Sequence, residues 1–179
     1  MKRFAMIALL AAAAGGVEAK DWTVDPSSTL GFAGTYQGEK FSGKFARFTA
    51  KIALDKADLA NAKLDVEIDV TSATTGNSDY DGELKGAAFF DYAKFPKARF
   101  VSTAVKESGG ALVADGTLTI RDKSKPVQLT LDFKPAGDAA TLDVQTTLKR
   151  LDFDVGTGDW ADTSLIAADV AVTSHLVLK

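Results

Sequence analysis

The chain has 179 residues, 46% of them hydrophobic, with a formal net charge of −3 and no cysteine. That length suits one domain with a sizeable core. The mild acidity, with no basic patch interleaved with aromatics, excludes an electrostatic nucleic-acid binder, and the missing cysteine excludes a disulfide-stapled scaffold or a thiolate metal site.

Met1 to Ala19 reads as a signal peptide. Lys2 and Arg3 form a basic start, Phe4 to Ala14 an apolar run, and Val17-Glu18-Ala19 a small-x-small cleavage site. The apolar run is too short to span a bilayer, and no other segment is apolar enough to do so, so no integral membrane segment is predicted. Cleavage after Ala19 leaves residues 20–179 as one exported domain, and a cysteine-free chain of this kind fits a bacterial periplasm.

Trp22 to Val24 is a short apolar lead-in, and Asp25-Pro26-Ser27-Ser28 has turn chemistry. Thr29 to Tyr36 reads as a first strand and Phe41 to Leu54 as a long second one, with Phe48, Ala50, Ile52 and Leu54 on one face. Gly43 is a candidate bulge or bend within it. Lys63 to Thr71 alternates charged or polar residues with Leu64, Val66, Ile68 and Val70, the period of a strand with one wet and one buried face. Such alternation belongs to antiparallel sheets.

Asn77 to Phe100 interrupts the pattern. Tyr80, Leu84, Ala87 and Ala88 recur at helical spacing after a capping-box-like Ser78 and Asp81, and Phe89, Phe90, Tyr92 and Phe95 crowd together before Pro96. A short helix with an aromatic tail is predicted, plugging the core, closing one end of a sandwich or lining the mouth of a barrel. Ala98 to Lys106, Ala111 to Arg121, Pro126 to Phe133, a strand from Leu142 into Arg150, and Leu165 to Leu178 complete the set. The prediction is all-β: an eight-stranded antiparallel barrel with a short helical insertion between strands 3 and 4. Closure protects the very apolar last strand from being an open edge, and staves of about ten residues, roughly 33 Å long, suit a long, thin guest.

Catalytic and metal patterns are weak. His175 is the single histidine and falls on the outward phase of the last strand, with no histidine or cysteine partner for zinc or copper. Asn77, Asp79, Asp81 and Gly82 match the first half of a calcium loop, but its twelfth position is Ala88 instead of glutamate, and capping of the short helix explains the same residues. No G-x-S-x-G occurs. Gly156-x-Gly158 is tight-turn chemistry, and Asp152 with Asp154 are read as solvated carboxylates. No metal, no covalent cofactor and no enzyme activity are predicted.

Three groups of residues, in this order and spacing, carry a resemblance over nearly all of residues 20–179: Phe89-Phe90-Asp91 through Phe95-Pro96 to Phe100, then Gly116-x-Leu118-Thr119-Ile120, then Arg150-x-Asp152-Phe153-x-Val155-Gly156. The chain resembles the YceI-like family of bacterial periplasmic proteins. The resemblance implies a lipocalin-like barrel whose interior holds a polyisoprenoid chain, including isoprenoid quinones. The chain departs from the pattern at Ser27-Ser28-Thr29, where many members carry a histidine. The resulting expectation is a periplasmic binding or carrier protein for an amphiphilic isoprenoid lipid or quinone, bound noncovalently. Its apolar lining is assigned to Phe32, Phe48, Ile52, Val66, Ile68, Leu84, Phe89, Phe90, Phe100, Ile120 and Leu129. The alternatives are a ligand-free, stress-related interaction module and an enzyme acting on a bound lipid through carboxylates such as Asp152; a homodimer is left open.

Overall fold

The computed structural model describes residues 19–179. The expected signal peptide, Ala19 apart, lies outside the described residues. The strands are β1 (Asp21–Trp22), β2 (Thr29–Tyr36), β3 (Glu39–Phe45), β4 (Phe48–Ala53), β5 (Lys63–Asp69), β6 (Ala73–Thr74), β7 (Lys97–Ser108), β8 (Ala111–Ile120), β9 (Lys123–Ala136), β10 (Ala139–Lys149) and β11 (Asp169–Leu178). One helix, α1 (Ser78–Leu84), lies between β6 and β7. All strands belong to a single sheet, ordered β1-β4-β5-β7-β8-β9-β10-β11-β2-β3-β6. Every pairing is antiparallel, and the sheet curls into a half-barrel. No helix among the described residues is long and apolar enough to cross a membrane.

Among the described residues the count is eleven, not the predicted eight, because bends set off two two-residue strands, β1 and β6, and split one predicted strand in two. The Asp25–Ser28 turn separates β1 from β2. The second predicted strand breaks at Ala46 and Arg47 into β3 and β4, and the third ends at Asp69, where a 3-10 turn, Val70–Ser72, precedes β6. The last two breaks face each other across Ser72, which is buried. Its carbonyl accepts from Ala46 N at 3.2 Å and its hydroxyl from Arg47 N at 3.0 Å, while that hydroxyl donates to the Asp69 carbonyl at 2.6 Å. A residue that satisfies two bends at once has no signature in the periodicity of either strand.

Gly43 marks neither a bulge nor a bend: it sits in regular pairing opposite Phe32, between a strand start and the break three residues on. The last strand begins at Asp169, later than predicted, because Leu165 and Ile166 belong to a loop bridged to Tyr36. Helix α1 is capped by Asn77, whose side chain accepts from Asp79 N at 2.9 Å, and not by Ser78. Asn77 is thereby committed to the cap and Asp81 to β6: the Asp81 carboxylate accepts from Thr74 Oγ1 at 2.7 Å, Thr75 N at 2.6 Å and Thr75 Oγ1 at 2.7 Å. These bonds hold its carboxyl below the usual carboxylate range.

Burial grades along the strands. One end of the half-barrel is solid: Ile52, Leu54, Leu64, Leu142 and Leu178 are fully buried, and Trp22 meets Phe133 edge-to-face at 5.8 Å. Burying each such aliphatic side chain stabilises by roughly 1.5–3 kcal/mol. Towards the other end the same inward phase loosens. Leu142 on β10 and Leu176 on β11 are buried, whereas Val144, Leu148, Val172 and Val170 on those strands are only half-buried. The alternating pattern therefore builds a packed base and a hollow upper half from one continuous inward face.

Candidate functional site: an apolar interior with an aromatic mouth

The hollow half contains adjoining cavities. The lower one, about 90 Å³, is lined by Phe48, Ile52, Leu64, Val66, Ile68, Phe100, Leu129, Leu176 and neighbours. The upper one, about 150 Å³, is lined by Phe32, Phe41, Phe45, Ile68, Leu84, Phe89, Phe90, Ile120, Val170, Val172 and neighbours. The two share Leu30, Ile68, Leu118, Leu148 and Val172, so they are successive reaches of one interior. Above them is a mouth of about 250 Å³ between Tyr36, Phe41, Tyr80, Leu84, Phe89, Trp160 and Ile166, with Thr75, Asp79 and Glu83 at its rim. It shares Phe41, Leu84, Phe89 and Ile166 with the upper cavity. The interior tapers from mouth to base.

All eleven residues assigned as lining from the sequence face these cavities. Close ring-over-glycine packing shapes the walls. A Cβ at Gly34 would meet Phe41 Cζ at 2.8 Å, and one at Gly116 would meet Phe100 Cε2 at 2.6 Å. The mouth is a run of ring contacts: Tyr36 to Tyr80 at 5.8 Å, Tyr36 to Trp160 at 6.4 Å, Phe41 to Tyr80 at 6.1 Å and Phe89 to Trp160 at 5.7 Å. Sequence reasoning missed Tyr36, Phe41, Tyr80, Trp160 and Ile166 as a group because they come from three distant segments. The aromatic insertion thus lines the mouth, and Phe90 also packs against Phe45 at 6.1 Å.

The largest omission was Arg150, a charged residue that is 96% buried by its 4% relative exposure and lines the upper cavity. Among the described residues it has no carboxylate partner. Instead Nε donates to the Ala167 carbonyl at 3.1 Å, Nη1 to Val155 and Gly156 at 3.0 and 2.7 Å, and Nη2 to Trp160 and Ile166 at 2.8 and 2.9 Å. Guanidinium has five N–H donors, and all five are used. Burial pushes the Arg150 pKa down. The side chain is a peg that fixes the loop from Val155 to Ala167, and with it Trp160, at the mouth. The only sequence signal was its place in the Arg150 to Gly156 motif. Gly156, at φ 78°, is required there because a Cβ would collide with the guanidinium.

A second arginine joins that loop to the aromatic insertion. Arg121 Nη1 donates to the carbonyls of Phe89 at 2.7 Å and Asp154 at 2.6 Å, and its guanidinium lies 5.5 Å from the Phe95 ring. Gly156 N and Thr157 N both donate to the Ala88 carbonyl, at 2.7 and 2.9 Å. Asp91, Arg121 and Asp154 all adopt left-handed backbone conformations around this junction, an uncommon choice for non-glycine residues.

The residues weighed for catalysis lie elsewhere. Asp152 is exposed, and Asp154 Oδ2 pairs with Lys123 Nζ at 3.3 Å. His175 is on the outer face, its Nδ1 2.6 Å from Asp143 Oδ1. Among the described residues, no group of three or more histidine, cysteine, aspartate or glutamate side chains is arranged to hold a metal ion.

A curled antiparallel sheet with a packed base, an apolar interior and one ring-lined mouth defines a β-class fold built around an internal cavity. A family-level comparison matches the YceI-like domain over residues 22–178, and the chain belongs to that family. Protein YceI of Escherichia coli O157:H7 is 30% identical over 160 residues, 80% of this chain and 81% of that protein. The crystal structure of Burkholderia cenocepacia BcnA is similar with a TM-score of 0.83 and 33% identity, over 87% of this chain and 99% of that one. A polyisoprenoid-binding domain from Saccharophagus degradans implicated in plant cell wall breakdown shares the fold, with a TM-score of 0.66 at 16% identity over 88% of this chain and 97% of that one.

Proposed function

We propose that the protein is an exported, periplasmic binding or carrier protein that holds a single isoprenoid chain, as a polyprenyl lipid or an isoprenoid quinone, along a lipocalin-like interior. The observation that carries this reading is the tapering cavity run, about 250, 150 and 90 Å³, whose two inner reaches are walled by apolar side chains. Burial contributes roughly 0.8 kcal/mol per methylene, so each further isoprene unit adds affinity without a polar partner. The family membership and the polyisoprenoid-binding domain of the same fold support this reading. Turnover is not part of it, since Asp152 and Asp154 do not line the cavities.

The test is native mass spectrometry of protein purified without detergent from its exporting cell, followed by solvent extraction and mass analysis of the released material. A stoichiometric isoprenoid is the expected result, and Val172→Trp, which fills the shared waist, should abolish its retention in a folded protein. Protein that arrives empty and takes up no added quinone or polyprenol would sink the proposal and leave the ligand-free interaction module.

A further inference from the structure

We infer that the mouth ranks guests by the charge of their head group, admitting cationic and uncharged heads and rejecting phosphate and carboxylate heads. This rests on the reading of the interior as an apolar-chain site. The base is packed solid and the inner reaches are apolar, so a single-chain amphiphile enters tail first and leaves its head between Tyr36, Tyr80, Trp160, Asp79 and Glu83. Of the three segments that frame this opening, 78–84 and 157–166 carry Asp79, Asp81, Glu83, Asp159 and Asp162 and no lysine or arginine, and 36–41 carries Glu39 and Lys40; the charged residues that line the opening itself are Asp79 and Glu83. Lys40 and Lys85 adjoin lining residues in sequence, but neither lines the mouth.

The charged side chain nearest the guest on the cavity side, Arg150, has no N–H to offer, because all five donate to backbone carbonyls. An anionic head would therefore lose its hydration beside two carboxylates and find no charged donor in return. An ammonium head meets the opposite situation. Tyr36, Tyr80 and Trp160 line the opening with carboxylates at its rim, and aromatic rings beside anionic groups attract cations.

The experiment holds the chain constant and changes the head. Farnesylamine, farnesol and farnesyl phosphate, each below its micellar concentration, are titrated against the full exported chain. Trp160 fluorescence and native mass spectrometry report binding. The expected order is amine first, alcohol next and phosphate last, with phosphate at least about tenfold weaker than alcohol at low salt, a 1.4 kcal/mol difference. That gap should narrow at 0.5 M salt, because the carboxylates are exposed and screened. In the Asp79→Asn/Glu83→Gln double variant the ratio of phosphate to alcohol affinity should rise towards one. Phosphate binding as tightly as alcohol in the wild type, or a ratio unmoved in a folded double variant, overturns the inference while the chain site stands. Failure of all three to bind removes the chain site itself, and this inference with it.

Discussion

Phe32 lies across Gly43 on the neighbouring strand. A Cβ at Gly43 would stand 2.9 Å from Phe32 Cε1 and 2.8 Å from the Thr74 carbonyl oxygen, so a ring and a backbone are both closed over it. The Phe32 ring also packs against Phe45 at 5.2 Å and lines the upper cavity. The glycine in β3 is what lets a phenylalanine in β2 lie flat against the wall.

Gly43→Ala should therefore push the Phe32 ring into the cavity and destabilise the fold by about 1–3 kcal/mol, the range for overpacking. Gly82 is the contrast. It lies inside α1, its φ is not positive and a Cβ there meets nothing within 4 Å. Gly82→Ala should stabilise by about 0.5–1 kcal/mol through helix propensity. Chemical denaturation of both variants checks the pair, and equal effects would mean that the ring contact at Gly43 yields freely.

Alternation with period two points to Phe48, Ile52, Val66, Ile68 and Leu129, which line the cavities, whereas a register shift between Ser102 and Ala104 interrupts that alternation in β7, and Leu84, Phe89 and Phe90 belong to the helical insertion, not to a strand. Three features were not legible. The break at Ala46 and Arg47 depends on Ser72 in a distant segment. The aromatic mouth joins Tyr36, Tyr80 and Trp160 across more than 120 residues of chain. Arg150 continues the inward phase of β10 as a charge, which a hydropathy pattern reads as an outward residue. Each depends on contacts between segments, and periodicity carries information only within one.

Removing Arg150 leaves five carbonyls without their donor and releases the loop that carries Trp160. Arg150→Ala should cost about 3–5 kcal/mol, the scale for breaking a buried charged network. Arg150→Lys should recover only part of this, since an ammonium has three donors and no planar fork. Equilibrium denaturation measures both variants, and a loss under about 1 kcal/mol for alanine would show that the loop is held by its other contacts.

Tyr92 tests the packing beneath the insertion. Its hydroxyl is buried with no hydrogen-bond partner among the described residues, and its ring stacks on Phe90 at 6.3 Å. Burial first, then the Asp81 and Asp69 carboxylates, push its pKa from 10.0 up to about 12. A pKa raised in the folded state means that the unfolded chain loses its proton first. The stability Tyr92 contributes is therefore intact below pH 10 and lost as pH rises towards 12. Tyr92→Phe keeps the ring and removes the unpaired hydroxyl. It should be neutral or stabilising by about 1 kcal/mol at pH 7, and it should lessen the decline in stability above pH 10. The difference between the wild-type and variant curves isolates this tyrosine from the other groups that titrate in the same range. Curves that stay parallel through that range, or a Phe variant weaker by more than about 1 kcal/mol, would mean that the hydroxyl is hydrogen-bonded after all.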